Sequence, residues 1–129
     1  MRSLPVALFF LVCAPLLMAA PPSPLVRVEI EALLDSLQSS GCEFSRNGSW
    51  HTAAQARAHL LLKLNNFSGS EWIERTEEFI TVLGSSSSTT GRPYMVKCGD
   101  TPPVTSKSWL TAKLKTIRSA DRPYTTDKQ

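Results

Sequence analysis

Apolar positions in this chain recur at two different periods, and the switches between them mark its elements. Val26, Ile30, Leu33, Leu34 and Leu37 follow helical spacing and predict a first helix over Pro24 to Ser39, with Glu29, Glu31 and Asp35 outside the apolar set. Ser39-Ser40-Gly41 stops it, since Gly41 suits the left-handed position after a helix. Cys42-Glu43-Phe44-Ser45-Arg46 then alternates apolar and polar, as a half-buried strand does. Asn47-Gly48 is a turn dipeptide. Thr52 caps a second helix, with Gln55 completing a capping box and Ala53, Ala56, Leu60 and Leu64 as the inner stripe. A third helix is expected from a Ser70 cap to Leu83-Gly84, burying Trp72, Ile73, Thr76, Ile80 and Leu83. After a serine- and threonine-rich run closed by Gly91, Pro93 to Cys98 reads as a second strand. Pro102-Pro103 breaks the chain, and Ser106 is expected to cap a fourth helix carrying Trp109, Leu110, Leu114 and Ile117.

The strands can be set against each other. Antiparallel pairing with Cys42 opposite Cys98 puts Phe44 against Val96 and Arg46 against Tyr94, all on one face, because side chains alternate with period two. A parallel pairing stays open at this stage.

The N-terminus changes the picture more than overall composition does. Met1-Arg2-Ser3, an apolar run from Leu4 to Met18 and small Ala19-Ala20 follow the order of a secretory signal over residues 1–20. The run is shorter than the ~20 residues that span a bilayer, which disfavours an uncleaved anchor. One domain over 21–118 and a polar tail over 119–129 account for the rest of the 129 residues. The formal charge is +3, and 14 basic residues less Arg2 leave 13 against 11 acidic ones without any basic stripe, so nucleic-acid binding is disfavoured. If Cys13 leaves with the signal, Cys42 and Cys98 remain, an even pair that an exported chain joins as a disulfide, the alternative being two buried thiols. Two cysteines and two distant histidines supply too few ligands for a metal site, and no cofactor is expected.

Four stretches in order carry a resemblance: Phe44-x-Arg46-Asn47-Gly48-x-x-His51; Ala56-x-x-His59-Leu60-x-x-Lys63-Leu64; Glu77-x-Phe79-Ile80; and Ser85 to Ser88 followed by Thr90-Gly91-x-Pro93-Tyr94-x-Val96. The chain resembles the YfeK-like family of small bacterial periplasmic proteins, a domain of unknown function, from the first helix to the fourth. The resemblance implies a bacterial exported protein and carries no ligand or catalytic residue with it. Thr76 and Gly84 depart from it, standing where alanine is expected. The cysteine pair is not universal in such proteins, which makes the bridge a support rather than chemistry.

The candidate residues each have a structural reading beside the functional one. His51 and His59 are eight apart, unlike the spacing of about four that a helical metal pair wants. His59 borders the buried stripe, where a hydrogen-bonded structural role is favoured. Arg46 has Glu77 as a candidate structural partner, which would tie strand to helix. The Ser85 to Thr90 run lacks a nucleophile elbow or a Ser-x-x-Lys motif, so capping is favoured over ligand binding and both over catalysis. The fold expected is α+β, small and mostly helical, with about four helices and a two-stranded ribbon. The function expected is a non-enzymatic periplasmic or secreted binding module. Its ligand-binding residues are Arg46, Asn47, His51, His59, Ser86, Ser87, Thr90 and Tyr94. Its partner is a periplasmic protein or an envelope glycan, with membrane contact only through the signal segment. The rivals are a small hydrolase, with Ser86 or Ser87 as nucleophile and His51 or His59 as base, and a purely structural envelope protein.

Overall fold

The computed structural model describes residues 13–14, 22–67 and 73–121. Most of the segment expected as a signal, the expected Ser70 cap, Trp72 and most of the tail lie outside the described residues. Helix α1 spans Pro24–Gln38 and opens on Ser23, whose hydroxyl accepts from the Val26 N–H, with proline at the first turn. Its apolar face is buried as the periodicity predicts, but so is Glu29, at 6% exposure.

Strand β1 (Glu43–Arg46) turns through Asn47 and Gly48 into β2 (Ser49–His51). Both turn residues have positive φ, 51° and 83°, as a two-residue hairpin with the strands' own twist requires. Helix α2 (Ala53–Asn65) follows with both halves of the Thr52–Gln55 capping box formed. Strands β3 (Met95–Lys97) and β4 (Val104–Thr105) complete an antiparallel sheet of order β2-β1-β3-β4. The sheet has four strands rather than two. The additional ones are three and two residues long, and they were hidden beside a helix cap and a Pro-Pro break. Phe44 pairs with Val96, the register read from the sequence, and Cys42 is joined to Cys98 with Cα atoms 4.3 Å apart.

The third helix differs from expectation. Ile73 is buried but not helical, and α3 spans only Thr76–Glu78 before widening into a π-helical turn over Phe79–Leu83. The Glu78 carboxylate accepts from the Glu74 and Arg75 N–H groups, which starts the helix there. Gly84 closes the turn by donating to the Phe79 and Ile80 carbonyls, both at 3.1 Å. A methyl group on Gly84 would stand 2.8 Å from Leu110 Cδ1, so the departure from alanine lets the turn lie against the last helix. That helix, α4 (Ser106–Ala120), is capped by Thr105 rather than Ser106, and it runs past Arg118 into the stretch expected as tail. The core gathers α1, the Phe44 and Val96 face of the sheet, Leu60, Phe79, Ile80, Leu83, Leu110 and Leu114. Among the described residues no helix is long and apolar enough to cross a membrane.

Thr76, the other departure, has its physical reason beside α1. Its buried hydroxyl donates to Glu29 Oε1 at 2.6 Å. Arg118 from α4 closes on the same carboxylate through Nε (2.8 Å) and Nη2 (3.0 Å), and on Glu77 through Nη1 (2.6 Å). Glu77 is thus the partner of Arg118, not of Arg46. The Arg118 hydrogen bond holds Glu29 below the usual carboxylate range against the opposing effect of burial, helped by Thr76, and it lowers Glu77 as well. These four side chains fasten α1, α3 and α4 together.

Candidate functional site

The register of β1 and β3 sets Arg46 and Tyr94 side by side at one end of the sheet, and α2 packs across them. A cavity of about 260 Å³ opens there. Its apolar wall is Leu37 from α1, Phe44 from β1, and Ala56 and Leu60 from α2. Trp109 backs Phe44 edge-on, with ring centroids 5.7 Å apart. The polar wall is Arg46 and Ser45 from β1, His51 from β2, Gln55 and His59 from α2, Tyr94 and Ser106.

A chain of contacts runs behind this wall. Arg46 Nη1 meets the ring nitrogens of His59, the nearer being Nδ1 at 2.5 Å. A guanidinium carries only donors, so the network assigns Nδ1 as acceptor and the ring proton to Nε2. Nε2 lies 3.1 Å from the Tyr94 hydroxyl, which also accepts from Lys63 Nζ at 3.2 Å. Lys63 spends its remaining N–H groups on the Leu83 carbonyl at 2.7 Å and the Ser86 carbonyl at 3.0 Å.

The electrostatics follow from that company. Burial lowers the His59 pKa, and the positive charges of Arg46 and Lys63 and the His51 ring lower it further, all of which favour the neutral imidazole. Burial and Arg46 likewise lower Lys63. Burial raises the Tyr94 phenol, and Arg46 opposes that only in part. The ion pairs among the described residues join Arg57 to Asp35, Arg75 to Glu78, and Arg118 to Glu29 and Glu77. None of them brings a carboxylate to Arg46, His51, His59 or Lys63.

The eight residues singled out from sequence fall into a group of four, a group of three and Ser86 by itself. Arg46, His51, His59 and Tyr94 line the cavity. Asn47, Ser87 and Thr90 instead bind one another: Asn47 Nδ2 donates to Ser87 Oγ at 3.3 Å, and Thr90 Oγ1 donates to Asn47 Oδ1 at 2.6 Å. This latch fastens the serine-rich loop to the hairpin turn. Ser86 contributes its carbonyl to Lys63 and a bridge to Pro93. Sequence reasoning missed Gln55 and Lys63. The signal was available, since Gln55, His59 and Lys63 recur every four residues and so share one face of α2. Among the described residues no three His, Cys, Asp or Glu side chains gather as a metal site would need.

Comparison with known proteins adds kinship. Residues 24–118 match the profile of a family of unknown function, DUF5329. Over 66 residues the chain is 44% identical to the uncharacterized protein YfeK of Salmonella typhimurium, a match covering 50% of this chain and 53% of that protein. The aligned part thus spans about half the length of that relative. No solved structure matches the chain.

Proposed function

The chain belongs to DUF5329, a family of unknown function, and because that membership brings no activity with it, we propose from the site alone that this is an exported, non-enzymatic module binding a small ligand between β1, α2 and Tyr94. The observation that carries the reading is the cavity itself: about 260 Å³, apolar on one wall, basic on the other. Clefts of this mixed character, with few convergent polar groups, are the usual form of a small-molecule site. Binding is favoured over hydrolysis because the His59 nitrogens face Arg46 and Tyr94, while Ser87 is engaged with Asn47. Among the described residues no serine or threonine hydroxyl is hydrogen-bonded to His51 or His59, as an activated nucleophile would be.

Export is supported by the apolar run from Leu4 to Met18 and by the Cys42–Cys98 bridge, a bond that persists in oxidising compartments. Cell fractionation with intact-mass analysis tests it. A mature chain outside the cytoplasm, shortened at its N-terminus and oxidised at the cysteine pair, supports export. A full-length reduced chain in the cytoplasm overturns it.

The binding role is tested by thermal shift with small carboxylates, phosphates, sugars and neutral alcohols, since a ligand that binds only the folded state raises the melting temperature. The expected result is stabilisation of the wild-type protein by at least one class, lost in Ala56→Leu, whose larger side chain occupies the cavity. Failure of every class to shift the wild type overturns the reading.

A further inference from the structure

Hydrogen-bond accounting in the cavity narrows the ligand, granted the binding role just proposed. Arg46 engages His59 through Nη1 alone, and its other N–H groups meet no acceptor among the described residues. The Tyr94 oxygen receives the Lys63 ammonium and the His59 Nε2–H, which leaves its own O–H with no acceptor among the described residues. Gln55 has its oxygen taken by the Thr52 N–H at 3.0 Å, so its amide NH₂ is the group left over. The unspent groups of Arg46, Tyr94 and Gln55 are therefore donors, while the Ser45 and Ser106 hydroxyls and the His51 ring, which also line the cavity, can donate or accept. The charged and titratable groups facing the site are Arg46 from β1, His51 from β2, His59 and Lys63 from α2, and Tyr94 before β3, and no carboxylate is among them. An ionised carboxylate is all acceptor, and the planar guanidinium fork matches it in shape.

Charge and size narrow the ligand further. Among the described residues Arg46 is the one permanent cation lining the cavity, while Lys63 sits behind Tyr94 with its N–H groups spent on two carbonyls and the phenol. One facing cation balances one negative charge, not two. Leu37, Phe44, Ala56 and Leu60 supply an apolar wall that a bare inorganic anion would leave unfilled. The volume, about 260 Å³, is below the ~300–1,000 Å³ of sites for drug-sized ligands.

We propose that the cavity receives a small amphipathic monocarboxylate, its carboxylate on Arg46 and the Tyr94 hydroxyl and its short apolar tail against Leu37, Phe44, Ala56 and Leu60.

Calorimetric titration of the purified mature protein with a matched set of probes tests this. Hexanoate carries both features, acetate lacks the tail, 1-hexanol lacks the charge, and hexyl phosphate carries a larger charge on the same tail. Hexanoate is expected to bind at least about tenfold more tightly than each of the other three, the factor that a single well-made polar contact supplies. Arg46→Gln should weaken hexanoate by about tenfold or more and leave 1-hexanol unchanged, and Tyr94→Phe should weaken hexanoate severalfold. The wild-type series decides the matter even if a variant fails to fold. If 1-hexanol binds as well as hexanoate, the carboxylate assignment falls and the ligand pocket stands. If hexyl phosphate binds more tightly, the monoanion assignment falls. If all four fail while a sugar stabilises the protein, the ligand class is wrong but the binding role survives. If nothing at all binds, both fall.

Discussion

Two clusters of charged side chains lie in this small domain, and they are built on opposite principles. Around Glu29 opposite charges meet: two carboxylates share one guanidinium, and a hydroxyl adds to the hydrogen bonds joining three helices. Around Arg46 they do not. Arg46, His59 and Lys63 crowd one phenol, and the pKa values of both His59 and Lys63 are driven down. The first arrangement makes sense in the folded chain alone. The second holds basic groups beside one another without a counter-charge among the described residues, which a fold selected only for stability would avoid. Electrostatics left incomplete among the described residues leave room for a ligand to complete them.

Removing one arginine from each cluster should separate them most clearly. Arg118→Met leaves the Glu29 carboxylate buried without its main partner. Breaking a fully buried pair costs ~3–5 kcal/mol, and because the Arg118 side chain is 44% exposed the expected loss is reduced to about 2 kcal/mol. Arg46→Met should leave stability within about 0.5 kcal/mol of wild type or raise it, since it removes a like charge. Denaturant titrations of both variants check this, and equal losses would erase the distinction. In the same Arg46 variant the His59 pKa should move back up toward its ordinary 6.5, as histidine NMR can follow.

Acid should act on both clusters, in different windows. Glu29 and Glu77 have depressed values in the folded protein, so their contribution is full above the ordinary 4.5 and is lost as pH falls through the lower folded values. His59 is depressed as well, but as a base. The unfolded ring takes up a proton near 6.5 while the folded ring resists it, so stability declines as pH falls from about 6.5 toward the folded value. Melting temperature against pH should show both declines. Arg118→Met should flatten the acid limb and Arg46→Met the one nearer neutrality, and a profile unchanged by either substitution would overturn the assignment.

The smallest contrast concerns two hydroxyls. Thr76→Val removes a donor from a buried carboxylate and should cost about 1–2 kcal/mol. Tyr94→Phe should cost less than about 1 kcal/mol, because Lys63 keeps its bonds to the Leu83 and Ser86 carbonyls. Chemical denaturation of the two variants measures the difference, and a larger cost for Tyr94 would make that hydroxyl structural rather than available.

Much of this frame was legible in the sequence, for reasons that can be named. Helical spacing placed α1, α2 and α4, and period two around Cys42, Phe44 and Arg46 suggested, with a parallel pairing still open, the antiparallel register that β1 and β3 adopt. The motifs also brought the chain to its family. Strands β2 and β4 were not legible, because segments of three and two residues are too short for a period to appear. The third helix misled because Ile73 keeps helical spacing to Thr76 and Ile80 while the chain at 73 is not helical. Glu29 could not be read as buried because its burial depends on Arg118, 89 residues away. In the candidate site, the register brought Arg46 and Tyr94 together, and His51 and His59 came with the hairpin and α2. What no pattern discloses is which acceptor each donor meets. That kept the roles of Lys63 and Gln55 and the mutual bonds of Asn47, Ser87 and Thr90 out of view.

The Cys42–Cys98 bond spans a separation of 56 residues, and within that span lie Arg46, His51, His59 and Tyr94. A protease that severs the backbone once anywhere in this interval releases no fragment, because both pieces stay covalently joined through the sulfur bridge. A nicked molecule would keep its basic wall assembled so long as the packing held. In a surrounding rich in hydrolytic enzymes, the bridge then sets how the protein ages: cleavage there produces a two-chain form that separates only after reduction.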